Sequence, residues 1–285
     1  VAAASQGFWQ RILGIDRRWI FLLVGIGVTL PLLFPVNLPV AASPRVKAAY
    51  QAIESVPEGS RVLVSLDYEP DIMAELQPMS IAVLRHCFRR HLKPVILTLY
   101  PAGPGLIEQA LAVATAAEGG RVRGVDYTFL GYKSGNQAVI LGLGENMHGL
   151  FPKDFYGTST DSIPLMKGAN SFTDFPLLID LSGSTIADYY IRIGASRYHR
   201  PMVLGSTAVM ASDYYPYLSS GQIKGLIGGM KGAAEYERLI GIVGDARHGM
   251  DAQSLVHVIV VLLVLLGNAA LFATGGAKPR MGGGA

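Results

Sequence analysis

Cysteine is nearly absent from the 285-residue chain: Cys87 stands alone, which excludes an internal disulfide framework and any Cys-rich zinc or iron–sulfur site. Charge is scarce as well. Charged residues make up 16% of the chain, where roughly a quarter is usual for soluble domains. The 24 Lys+Arg nearly balance 21 Asp+Glu, for a net charge of +3. That balance does not suit a protein living on phosphate contacts, so no nucleic-acid partner is expected. Catalytic signatures are missing too. No G-x-x-x-x-G-K-[ST] loop exists, and neither Ser182 nor Ser206 sits in a G-x-S-x-G elbow. Gly142-x-Gly144 is followed by Met147 where a dinucleotide fingerprint needs glycine. His86 and His91 are five apart, not the four that put two ligands on one helix face, and His148, His199 and His248 lack acidic or Cys neighbours at metal-site spacing. No cofactor and no metal are expected.

What the chain has instead is apolar surface. Hydrophobic residues make up 50%, and the mean hydropathy is +0.35. Two runs account for the excess, residues 19–36 and 254–273, eighteen and twenty residues without a Lys, Arg, Asp or Glu. At about 1.5 Å per residue each reaches across a hydrocarbon core about 30 Å thick, the first only just. Arg11, Arg17 and Arg18 precede the first run, and Val40-Ala41-Ala42 resembles the small-residue site of a cleaved signal peptide. The length of the run, with Phe8, Trp9 and Trp19 as interfacial anchors, points to a retained span. Pro31 and Pro35 are expected to bend or end it.

In the second run His257 and Asn268 are eleven apart, three helical turns, and share a face with Val261 and Val264. A polar stripe in lipid is first a packing face. A proton relay through His257 is the sharper alternative, and neither run supplies a second ionisable group for it. Two spans put both termini on one side. The tails carry five Lys/Arg (Arg11, Arg17, Arg18, Lys278, Arg280) against Asp16, so they are expected in the cytoplasm and the domain outside it. Arg45, Lys47, Arg238 and Arg247, on the domain side, narrow that margin.

Between the runs, short apolar segments alternate with helix-period segments. Residues 45–56 form a helix with Pro44 at its first position, 61–67 a buried strand, and Pro78 opens a helix through about residue 92. Strands are expected at 94–100, 127–130, 177–181, 201–204 and within 222–227, with helices at 106–117, 185–193 and 233–240. Residues 137–143 fit strand or helix. Near-continuous apolar strands alternating with helices predict a doubly wound, mostly parallel, Rossmann-like α/β domain flanked by N- and C-terminal transmembrane helices. The organisation is a short basic and aromatic segment (1–18), a span (19–36), the α/β domain (43–251), a span (254–273) and a disordered Gly-rich tail (274–285).

In such sheets ligands bind beyond the carboxyl ends of the strands. Asp67, Glu69, Asp71 and Glu75 form the densest acidic cluster there, suited to Mg²⁺ or to a nucleophile in phosphoryl transfer, or else simply a solvated turn. Ser182, Ser184, Ser206 and Thr207 follow later strands and either cradle an anion or cap the next helices, and Asp180 lies within the strand before Ser182. Arg85, Arg89, Arg90 and Lys93 give one helix a basic face, for solvent, lipid headgroups or an acidic neighbour. Tyr214, Tyr215 and Tyr217 precede a stretch with Gly225, Gly228 and Gly229, where aromatic anchors beside small residues suit a tight subunit interface.

Asp67-Tyr68-Glu69-Pro70, Ala74-Glu75-Leu76-Gln77-Pro78-Met79 and Leu84-Arg85-His86, with the glycine stretch 221–229 and Ala234-Glu235-Tyr236, carry a likeness. On these residues the chain resembles an uncharacterised family of prokaryotic two-span membrane proteins with a Rossmann-like domain. The resemblance brings no activity and no catalytic residue with it. The leading expectation is a non-enzymatic, membrane-anchored subunit of an oligomeric assembly, its partners the lipid bilayer and either copies of itself or other membrane-protein subunits. The alternative is a membrane-tethered enzyme or small-ligand receptor using Asp67, Glu69, Asp180 and Ser182 with Ser184, Ser206 and Thr207 in the strand-end crevice. A transporter or channel fares worst, since two spans make a pathway only as a ring.

Overall fold

A computed structural model describes residues 2–34 and 41–275. Pro35, Val36, Val40 and the tail beyond Gly275 lie outside them. The chain divides into two units, residues 1–38 with 248–285, and residues 39–247.

In the first unit α1 spans Ala2–Leu13 and α2 spans Arg17–Leu33. Asp16 starts α2 by accepting the Arg18 amide on its side chain at 2.9 Å. Pro31 lies inside α2, which ends two residues beyond it.

In the second unit the chain runs α3 (Pro44–Glu54), β1 (Arg61–Asp67), α4 (Met73–Arg89), β2 (Lys93–Thr98), α5 (Gly103–Ala117), β3 (Thr128–Tyr132), α6 (Asn136–Leu143) and α7 (Met147–Leu150). It continues through β4 (Leu178–Ser182), α8 (Ile186–Tyr190), β5 (Met202–Ser206), α9 (Tyr215–Ser219), β6 (Gly225–Gly228) and α10 (Gly229–Leu239). The last helix, α11 (Asp245–Ala273), begins in this unit and ends in the first. Among the described residues α11 is the one helix long and apolar enough to cross a membrane: 29 residues with a mean hydropathy of 2.6 and 6% of its apolar window buried. α2 has 17 residues. Within the first unit the two helices touch, because a Cβ on Gly27 would lie 2.6 Å from Ile259 Cδ1.

The six strands form one parallel sheet in the order β3-β2-β1-β4-β5-β6. Its α/β, Rossmann-like class agrees with the alternation in the sequence, and every strand pair is parallel. The order reverses between β1 and β4, which makes that junction the switch point where such sheets leave a crevice. Alternation in the strands separates two faces. Val62, Val64, Leu66, Ile96, Ile179, Leu181 and Val203 are buried on one, and α3, α4, α5 and α10 pack around the sheet. Leu63, Val95, Leu97, Leu178, Met202 and Leu204 are buried on the other in a core that also holds Ile140, Phe172, Ile186 and Tyr190.

Two boundaries differ from the sequence reading. Pro78 does not open α4 but lies inside it, since the 3-10 turn Pro70–Ile72 leads straight into Met73 and burial of Leu76, Gln77 and Met79 outweighs one lost backbone bond. The helix expected at 185–193 is a short α8 followed by a π-helical stretch, Ile191–Arg197. Residues 137–143, which fit either strand or helix, take the helical alternative within α6.

Candidate functional site

The register between β1 and β4 pairs Ser65 with Asp180 and Asp67 with Ser182, and that between β4 and β5 pairs Ser182 with Ser206. Strand parity turns all five side chains to the same face at the carboxyl ends of the three central strands. All are at most 1% exposed. Burial of this kind demands hydrogen-bond partners. Asp67 has them: Ser65 Oγ donates to Oδ2 at 2.5 Å, and the Leu99 amide and Thr98 Oγ1 donate to Oδ1 at 2.5 and 3.4 Å. Tyr190 extends the chain, its hydroxyl donating to Ser65 Oγ at 3.0 Å. Asp180 has no such set, and neither of its carboxylate oxygens meets a partner of ordinary hydrogen-bond geometry.

Burial pushes the Asp67 carboxyl up to about 6, against the pull of its donors. Burial raises Asp180 well above the carboxylate range, and the neighbouring Asp67 charge adds to it. Each carboxyl feels the other, so the pair titrates as a unit. Burial raises Tyr190 as well, with the two carboxylates reinforcing the shift.

The crevice above this pair is shut. Ile72, at the end of the turn after β1, covers Gly183 so closely that a Cβ there would fall 1.9 Å from Ile72 Cδ1. Glu75 fastens the same segment across the switch point by accepting the Ala208 amide at 2.8 Å. A cavity of about 430 Å³ lies elsewhere, among Ala52, Val56, Leu177, Pro201 and Lys224 around the amino ends of the strands.

The acidic cluster expected at 67–75 is thus dispersed. Asp67 is buried against Asp180, Asp71 is exposed, Glu69 half-buried, and Glu75 holds a backbone amide. The hydroxyls after β4 serve the turn. Ser182 Oγ accepts the Ser184 amide at 3.2 Å, and Ser184 Oγ accepts the Ile186 amide at 3.2 Å. Ser206 Oγ reaches the Thr207 carbonyl at 3.4 Å. Tyr214 is buried and donates to the Ser184 carbonyl at 3.2 Å, Tyr217 is half-buried, and Tyr215 is exposed under the Arg45 guanidinium. The glycines of 225–229 meet this domain itself: Gly225 faces the Ala49 backbone, Gly228 faces Ala211, and Gly229 faces Ala208. The basic face of α4 is committed internally. Arg85 and Arg89 donate to Glu118 at 2.7 and 2.9 Å, and Arg90 reaches Glu58 at 3.3 Å. His257 and Asn268 are exposed on α11.

Two buried groups escaped the sequence reading. His86 Nδ1 accepts from the Tyr236 hydroxyl at 2.6 Å, and Nε2 donates to Glu54 at 2.9 Å, an assignment that follows from Glu54 being an acceptor. Tyr50 stacks on the ring at 4.7 Å. The carboxylate–imidazole–hydroxyl order is that of an activated nucleophile, but Tyr236 is fully buried, so the chain ties α3, α4 and α10 together instead. The other group is Glu237 on α10, whose two oxygens accept the Ala246 and Arg247 amides at 3.2 and 3.1 Å in the first turn of α11. A sequence signal existed only for His86, one helical turn from Ala82 on the apolar side of α4.

No family model matches the chain, and no curated protein matches it. Among solved structures it is similar to the trehalose-6-phosphate synthase OtsA, at 13% identity and a TM-score of 0.30, over 88% of this chain and 50% of that one. The chain spans about half the length of that neighbour.

Proposed function

We propose that the protein is a membrane-anchored, non-enzymatic subunit of an oligomeric membrane assembly, with the α/β domain as its structural module. The sealed switch point carries this reading: the place where such a sheet binds ligands is closed by Ile72 over Gly183, above carboxylates without solvent access. α11 supports the anchor, since its charge-free stretch 254–273 reaches about 30 Å at 1.5 Å per residue, the thickness of a hydrocarbon core. α2 serves as the second span, both termini face the cytoplasm and the domain lies outside it. The test is the native mass of the detergent-solubilised complex with its co-purifying subunits identified. A defined oligomer or stable hetero-complex is expected, and a monomer overturns the proposal.

One observation favours a second reading, a tethered enzyme or receptor. The two oxygens of Asp180 are buried without ordinary partners beside a second carboxylate, and such a pair attracts a cation once both groups ionise. Thermal unfolding at pH 8 with and without Mg²⁺ separates the readings. A rise in Tm lost in Asp180→Asn supports the second; no rise removes the cation site it depends on.

A further inference from the structure

The assembly reading leaves open what α11 packs against besides α2. We propose that α11 pairs with α11 of a second copy of this chain, parallel and in register, along Ser254, His257, Val261, Val264, Asn268 and Leu271. The inference rests on the membrane-anchored reading above and commits it to a partner.

The spacing of these positions is 3-4-3-4-3, the a/d repeat of a two-helix seam, with β-branched valines at the centre. α2 leaves that seam free. Its Gly27 meets Val256 and Ile259, a sector roughly 130° round the helix from the stripe at about 100° per residue. The stripe is open in the single chain: His257 and Asn268 are exposed, and Val261 and Val264 are 56% and 55% exposed.

Asn268 supplies the reason that lipid does not suffice as the cover. Its amide has two donors and an acceptor, and hydrocarbon offers partners for none of them. The anchor of the same chain meets α11 on another side, at Val256 and Ile259, and the Thr29 hydroxyl there donates to the Gly25 carbonyl of its own helix at 2.8 Å. A second copy solves the problem by construction. Both copies insert in the same orientation, so a parallel pair sets Asn268 opposite Asn268 at one depth, and a carboxamide is complementary to itself. An asparagine at one a position also fixes register and favours two strands. His257 then faces His257 three turns earlier, nearer the end of the apolar stretch.

Single cysteines in the full-length protein, oxidised mildly in native membranes, test the pairing. Cys87 is fully buried, so the unmodified chain is the blank. Val261→Cys and Val264→Cys are expected to give at least about fivefold more disulfide-linked dimer than Leu266→Cys on the opposite side, as a single a/d seam requires. Asn268→Val lowers that yield and Asn268→Gln keeps it. Alkaline carbonate extraction of the same membranes separates the two failures. Loss of the protein from the membrane overturns the anchored reading and this pairing with it. A protein that stays embedded but links equally at 261 and 266, or links only to a different polypeptide, overturns the pairing and leaves the anchored assembly standing.

Discussion

Asp67 and Asp180, on adjacent strands β1 and β4, form a buried carboxylate pair at the switch point of the sheet, both held above the ordinary carboxylate value by burial. Asp67 is held by Ser65, Thr98 and the Leu99 amide, while the Asp180 oxygens have no such donors. The pair therefore sets a pH dependence of the fold irrespective of any ligand.

Asp67 rises from 3.8 to about 6 on folding, so the folded chain binds its proton more tightly than the unfolded one. That contribution to stability is complete below pH 3.8 and is lost as the pH climbs through about 6; Asp180, raised by burial and by the Asp67 charge, adds a loss of the same sign. Asp180→Asn removes the second titrating group of the pair and its share of this loss, while Asp67, raised by its own burial, keeps its share. Thermal unfolding of the detergent-solubilised protein between pH 5 and 9 is expected to show a flatter Tm profile for this variant. An unchanged slope would mean that the pair does not share its titration.

Gly225 is a packing position of the domain. A Cβ there would lie 2.1 Å from the Ala49 amide nitrogen and 2.2 Å from its Cα, both backbone atoms of α3 that no rotamer change can move. Gly225→Ala is expected to cost about 1–3 kcal/mol or more by forcing α3 off the sheet, read as a lower denaturant midpoint. Gly105→Ala, at an open position of α5, is the control and should leave the midpoint within about 0.5 kcal/mol of the parent or above it.

These cases show where sequence reasoning reaches its limit. The strands were legible because parallel, doubly covered strands are continuous apolar runs, as in residues 61–67 and 177–181. Asp67 was legible as the polar residue ending such a run. Its partner was not, since Glu69 is near in sequence while Asp180 is brought alongside only by the β1–β4 register. Glycines at 225–229 announced a close approach without saying to what, and the Ala49 backbone is the answer at Gly225. Glu237 reads as a surface charge on an amphipathic helix until α11 turns back onto it.

Tyr236 tests the strut. Tyr236→Phe keeps the ring and removes the donor to His86 Nδ1, leaving a buried nitrogen without a partner at a cost of about 1–3 kcal/mol. Burial lowers the His86 pKa, with Glu54 opposing, so the contribution of the histidine is present above its ordinary 6.5 and is lost as the pH falls. His86→Ala should accordingly cost more at pH 8 than at pH 5 in chemical unfolding. Equal costs at both pH values would remove the neutral imidazole from the account.

Glu237 makes the most specific local prediction, because its carboxylate accepts two of the amides that the first turn of α11 leaves without intrahelical partners. Gly244 allows this approach: a Cβ there would sit 2.3 Å from Glu237 Oε1. Glu237→Ala removes both acceptors, and the expected loss is about 1–2 kcal/mol, as for a lost helix cap. Its signature is local, with the amides of Ala246 and Arg247 exchanging at least about tenfold faster while those of β1 and β4 are unchanged. Burial raises the Glu237 carboxyl from 4.5 to about 7, so its protonated form is favoured in the fold; that stability is present below pH 4.5 and lost as the pH rises through 7. Glu237→Gln retains one acceptor and no titration. It should therefore exchange at a rate between the parent and the alanine variant, and this part of the pH slope should vanish. Parent-like exchange at Ala246 and Arg247 in the alanine variant would show that the start of α11 is held by packing alone.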